Sequence, residues 1–124
     1  MDRESRINGE IFSADLGGPL YLTIDADNTS YQMSVHEQNI IAVTALATTL
    51  AIIILPSVAE AAGRFYWLRA PTAGSYDVSI YEKETGAIYA GQDSDDGTLD
   101  ANNDRVLLFS DGNRWNTIFN GVAA

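Results

Sequence analysis

Five aspartates and two asparagines crowd into Asp93-Ser94-Asp95-Asp96-Gly97-Thr98-Leu99-Asp100-Ala101-Asn102-Asn103-Asp104, the densest set of potential metal ligands in the chain. Ca²⁺ takes about six to eight oxygen ligands, and such a loop could supply them. Asp93, Asp95 and Asp104 fall at the first, third and twelfth positions of an EF-hand-type loop. Gly97, however, stands where the fifth-position ligand belongs, and Thr98 where the sharp turn needs glycine. No helix pattern flanks the loop. Two readings stay open: a solvated acidic loop, or an irregular cation site. The loop is also long for a compact domain, which points to a functional or mobile segment.

The other reactive side chains do not assemble into a catalytic set. His36 is the one histidine. It falls on the polar side of an alternating stretch, with no nucleophile turn or orienting carboxylate in view, so an exposed structural histidine is expected. Paired carboxylates for glycoside hydrolysis need a fixed separation across a cleft, which a polar loop does not provide. No glycine-rich phosphate loop is present. The expectation is a protein that is not an enzyme and takes no cofactor. With no cysteine, disulfides and thiolate metal sites are excluded.

Aromatic residues offer a different chemistry. Phe65, Tyr66 and Trp67 are consecutive, and Trp115 lies further on. Neighbours on a strand point to opposite faces, so Phe65 and Trp67 share a face that Tyr66 does not. One face belongs to the core. The other is a candidate subunit interface, since Tyr and Trp are favoured there, or a sugar-stacking surface. Phe65, Tyr66, Trp67 and Trp115 are the candidates for that interface.

These side chains must be held by strands. Leu20 to Asp25 alternates, with Leu20, Leu22 and Ile24 on one face. Tyr31 to His36 alternates again, with Tyr31, Met33 and Val35 inward. The Ala26–Ser30 turn cluster between them predicts a β-hairpin. Ile40 to Leu55 is uncharged and apolar but shorter than the ~20 residues of a spanning helix. It reads as two buried strands broken near Ala47-Thr48-Thr49. Further strands are expected at Arg64–Ala70, Tyr76–Glu82, Ala87–Ala90, Arg105–Phe109 and Trp115–Phe119. The class is all-β: a small sandwich or barrel of short antiparallel strands, with no internal repeat. Residues 1–19 read as an extended N-terminal arm whose Ile7, Ile11 and Phe12 need a surface to bury against, and residues 20–124 as one β domain. The charged start, Met1 to Arg6, is not the beginning of a secretory signal.

Between two of these strands lies Leu55-Pro56-Ser57-Val58-Ala59-Glu60-Ala61-Ala62-Gly63. Proline at a first helical position and glycine at a left-handed stop predict one short helical corner. This stretch, the aromatic strand after it, and Ser110-Asp111-Gly112-Asn113-Arg114-Trp115 resemble a β-module of tailed-bacteriophage virion proteins. The resemblance runs from Leu50 to Phe119 and is greatest to head decoration (cement) proteins. It implies a homotrimer on the outside of the capsid, bound to the major capsid protein and reinforcing the head. The rival implication is a tail fibre, spike or head-fibre module for host-surface saccharide. The arm residues Ile7, Ile11 and Phe12 would be the contacts with a neighbour or the shell.

Charge bears on the partners. Seventeen acidic residues against seven basic ones give a net charge of -10. Phosphate contacts need a basic face, so nucleic acid is not an expected partner, and neither is an anionic membrane. An acidic chain suits solubility and a basic or cation-bridged partner.

Overall fold

Burial alternates along the strands even where both faces carry apolar residues. In Asp104–Ser110 the side chains of Val106 and Leu108 are buried while those of Arg105, Leu107 and Phe109 are half-buried on the other side. The computed structural model describes residues 18–25, 30–46, 51–72, 78–91, 96–99 and 103–121. The arm with Ile7, Ile11 and Phe12, and Asp93, Asp95, Asp100 and Asn102 of the acidic loop, lie outside the described residues.

Nine strands are formed among the described residues: β1 (Leu20–Asp25), β2 (Ser30–Gln32), β3 (Asn39–Leu46), β4 (Ala51–Ile54), β5 (Phe65–Thr72), β6 (Val78–Tyr81), β7 (Thr98–Leu99), β8 (Asp104–Ser110) and β9 (Trp115–Asn120). A five-stranded sheet has the order β1-β3-β5-β8-β9, and a four-stranded sheet the order β2-β4-β6-β7. Up to β6 the chain alternates between sheets, one strand in the larger and the next in the smaller. Each return to a sheet therefore lays down a strand parallel to the last one there. β1 pairs with β3 and β3 with β5 in parallel, as do β2 with β4 and β4 with β6. Parallel neighbours need a crossover connection, and here a strand of the opposite sheet lies within it. Only the last strands of each sheet pair antiparallel: β5 with β8, β8 with β9 and β6 with β7.

This corrects three expectations. The sheets are mixed rather than antiparallel. They are not closed into a barrel. The stretches Leu20–Asp25 and Tyr31–His36 are not a hairpin, because β1 and β2 belong to different sheets. The second stretch is also shorter than expected. Glu37 closes a turn by accepting from Ser34 N at 2.6 Å and from the Tyr31 hydroxyl, while its own N–H reaches Ser34 O at 3.1 Å. The inward faces of the two stretches are as expected: Met33 is buried, and Leu20, Leu22, Tyr31 and Val35 pack on the core.

Both sheets contribute to one hydrophobic cluster. Ile40, Tyr66, Leu68, Val106 and Leu108 come from the larger sheet, and Ile53, Val78, Ile80 and Leu99 from the smaller. Burying each such side chain is worth about 1.5–3 kcal/mol. Tyr66 sits edge-on to Trp115 at 5.3 Å and donates its hydroxyl to Val35 O at 2.7 Å. Burial, partly offset by Arg64, pushes its ionisation up to about 12.

The Pro56–Gly63 corner is a run of turns, and no helix is formed among the described residues. The physical reason is competition for its backbone. Val58 N donates to Glu84 Oε2 at 3.0 Å, Val58 O accepts from Ser110 Oγ at 2.6 Å, and Gly63 N donates to Ser110 O at 2.8 Å. Val58 O and Gly63 N are thus engaged outside the segment, and within it only Ala61 N to Ser57 O, at 2.9 Å, closes a full helical turn. Gly63 does take the left-handed conformation, at φ +80°. The acidic stretch is corrected too: β7 lies within it, and Leu99 is fully buried.

The turn between β8 and β9 is built on Asp111. Its Oδ1 accepts from Asn113 N and Arg114 N, each at 2.8 Å, and its Oδ2 from Asn116 Nδ2 at 3.2 Å. These bonds, the one from Arg114 N first, hold the carboxyl below its ordinary 3.8. A lowered folded value contributes stability that is present above the unfolded value and fades as pH falls through the folded one. An NMR titration should therefore find Asp111 still ionised below pH 3.8, and acid unfolding of Asp111→Ala should depend less steeply on pH than that of the parent. An ordinary Asp111 titration would show that the turn does not depend on its charge.

Candidate interaction surface

The outward face of the larger sheet is where the candidate aromatics separate. On β5, Tyr66, Leu68 and Ala70 go to the core, and Phe65, Trp67 and Arg69 face out. Trp115 is also in the core. Of the four interface candidates, Phe65 and Trp67 lie on the outer face, and Tyr66 and Trp115 pack inside. Register aligns the outer residues of β5 with those of β8: Phe65 with Phe109, Trp67 with Leu107, and Arg69 with Arg105. The Phe65 and Phe109 rings are 4.8 Å apart.

A β-bulge completes this face. Leu107 pairs with Phe119 and Leu108 with Thr117, so Ile118 is an extra residue in β9. The insertion reverses the alternation. Thr117 and Asn120 both turn inward, while Phe119 turns out to lie 6.1 Å from Trp67 and beneath the Arg105 guanidinium at 5.6 Å. Ile118 and Phe119 are 53% and 44% exposed on an edge strand, well above what core packing would leave.

The inward turn serves Asp96, which is 1% exposed. Its carboxylate accepts from Thr117 Oγ1 at 2.8 Å and from Asn120 Nδ2. The Tyr89 hydroxyl shares Thr117 Oγ1 at 2.7 Å. Gly91, at φ +51°, lies so close that a Cβ there would collide with the Asp96 carboxylate. The network joins the segment leading into β7 to the edge of the other sheet.

Beside it opens a cleft of about 290 Å³, lined by Glu82, Tyr89, Arg114, Trp115, Asn116 and Thr117. Burial, and then the charge of Glu84, raises the ionisation of Glu82 above its usual 4.5. The Trp115 Nε1–H is buried with no acceptor among the described residues.

The remaining candidates fall as follows. His36 is exposed on the turn after β2. Asp96 and Asp104 are both buried, so this part of the acidic stretch is not solvated. No group of three or more His, Cys, Asp or Glu side chains is placed to hold a metal among the described residues. Sequence reasoning missed the Asp96 network and the Arg69–Arg105 pair. The arginines alternate in step with the aromatics on their own strands, but only the β5–β8 register makes them neighbours. Comparison with protein-family models, curated proteins and solved structures finds no match.

Removing the Thr117 hydroxyl tests the network. Thr117→Val keeps the shape and leaves a buried carboxylate short of one donor, so urea unfolding should show a loss of about 1–3 kcal/mol. A loss within the scatter of surface substitutions would mean that Asp96 is held by its other contacts alone.

Proposed function

We propose that this chain is a capsid decoration (cement) protein of a tailed bacteriophage, a small β-sandwich that binds the outside of the head as a homotrimer and reinforces it. The observation that carries the reading is how the two stretches behind the resemblance meet. Leu55–Gly63 and Ser110–Trp115 are distant in sequence, yet Ser110 bonds to both Val58 and Gly63. They form one structural unit, as parts of one module would. The partner is the major capsid protein, and the place is the capsid surface of the virion.

An acidic protein cannot strengthen a DNA-filled head by neutralising DNA. It acts from outside by bridging subunits and adding buried area. Ile7, Ile11 and Phe12 of the arm are the apolar anchors, each worth about 1.5–3 kcal/mol when buried. The acidic rim gives orientation against basic patches on the shell.

A second reading, a fibre or spike module that attaches to saccharide, draws on the Glu82–Arg114 cleft. Its carboxylate and guanidinium could bond the hydroxyls of a sugar.

Thermal DNA release separates the two. Heads stripped of this protein should release DNA at a lower temperature than intact heads, and protein lacking residues 1–16 should rebind poorly and fail to restore the difference. Equal release temperatures would remove reinforcement as the function. Saccharide binding lost in Arg114→Ala would then favour attachment.

A further inference from the structure

Arg69 and Arg105 stand directly opposite each other on the outer face of the larger sheet. Like charges so placed destabilise a sheet. The Arg69 Nε–H is also buried with no acceptor among the described residues. Arg105 donates from Nη1 to Asn103 O at 3.0 Å and rests on Phe119. No carboxylate pairs with either arginine among the described residues. No described side chain on this face is a carboxylate. Trp67, Leu107 and Phe119 adjoin the guanidinium pair with apolar surface, and Phe65 and Phe109 continue it toward the other end of the strands.

We propose that this face receives a second copy of the chain, whose carboxylates pair with Arg69 and Arg105. The inference rests on the self-association in the reading above and does not involve the capsid. Charge selects the occupant and the place. Two copies at -10 repel over most of their surfaces, and this face is where a copy's acidic surface meets guanidinium groups with no described carboxylate beside them.

The complementary surface is at the other end of the same strands. Glu60, Glu84 and Asp111 are exposed around the Pro56–Gly63 corner, where Glu84 bonds to Val58 and Ser110 ties the Asp111 turn to the same residue. β5 leaves that corner at Phe65 and β8 reaches it at Ser110, whereas Arg69 and Arg105 lie further along β5 and near the start of β8. The contact thus joins two different surfaces. Such a heterologous contact closes into a ring, such as a trimer, when its rotation permits. Arginine–carboxylate forks flanked by aromatics would fix its register.

The test uses the purified full chain without capsids. Sedimentation and light scattering should show an oligomer for the parent. Arg69→Thr with Arg105→Thr should fold with an unlowered Tm, since the opposed charges are gone, and associate about thirtyfold more weakly or worse. Glu60→Lys with Glu84→Lys should also be monomeric. Mixed with Arg69→Glu and Arg105→Glu chains, it should associate again, the two variants alternating in an open or even-numbered assembly rather than in a trimer. A monomeric parent, unchanged association of the threonine variant, or a symmetric dimer would each overturn the proposal. So would a monomer that binds a poly-glutamate peptide through these arginines, which would give the face to a different acidic protein. An oligomer that behaves as stated but leaves heads unprotected would keep this inference and remove the decoration reading.

Discussion

The buried carboxylate of Asp96 sets conditions on several parts of the fold at once. A charge removed from water must be met by donors, and two of these, Thr117 and Asn120, come from one edge strand. Residues at that spacing point to opposite faces of a regular strand. Both can reach the carboxylate only because Ile118 is inserted between them as a bulge. The same insertion sends Phe119 outward to Trp67 and Arg105. The inner network and the outer aromatic face are therefore two results of one extra residue. A shift of register that restored regular pairing would undo both.

The second constraint is the winding of the chain between sheets. It explains why parallel pairs dominate the first six strands. It also places β5 at the boundary between the two pairing modes, parallel with β3 on one side and antiparallel with β8 on the other. β5 carries Tyr66 and Leu68 into the core and Phe65, Trp67 and Arg69 to the surface. Its position in the middle of the sheet makes the outer face continuous from Tyr21 on β1 to Phe119 on β9.

Much of this was legible in the sequence, for a definite reason. Alternation reports which side chains face inward, and it did so correctly for Leu20, Leu22, Tyr31, Met33 and Val35. The break in the apolar run between Ile40 and Leu55 separated β3 from β4. The Asp111 turn was readable from Asp-Gly and from its place between two apolar stretches. What alternation does not report is which strand lies next to which. The same pattern fits a hairpin and a crossing to the opposite sheet, so β1 and β2 were misassigned as partners. The corner failed differently. Proline and glycine marked its ends, but the bonds that engage Val58 O and Gly63 N come from Ser110, far along the chain. Burial of Asp96 left no local sign, because its donors lie beyond β8.

The winding has a kinetic side. In the larger sheet only β8 and β9 are neighbours both in the chain and in space, joined by the short Asp111 turn, and hairpins of this kind close in about 1–10 μs. Every other pair in that sheet is separated by a strand or longer segment that must first find its place elsewhere. Topologies dominated by such distant pairings fold slowly, on a scale of about milliseconds to seconds. Until β3 arrives, the flank of β5 that will receive it is an unpaired strand edge rich in aromatic side chains. The interval before the parallel strands dock is thus when newly made chains are most open to pairing with the wrong strand.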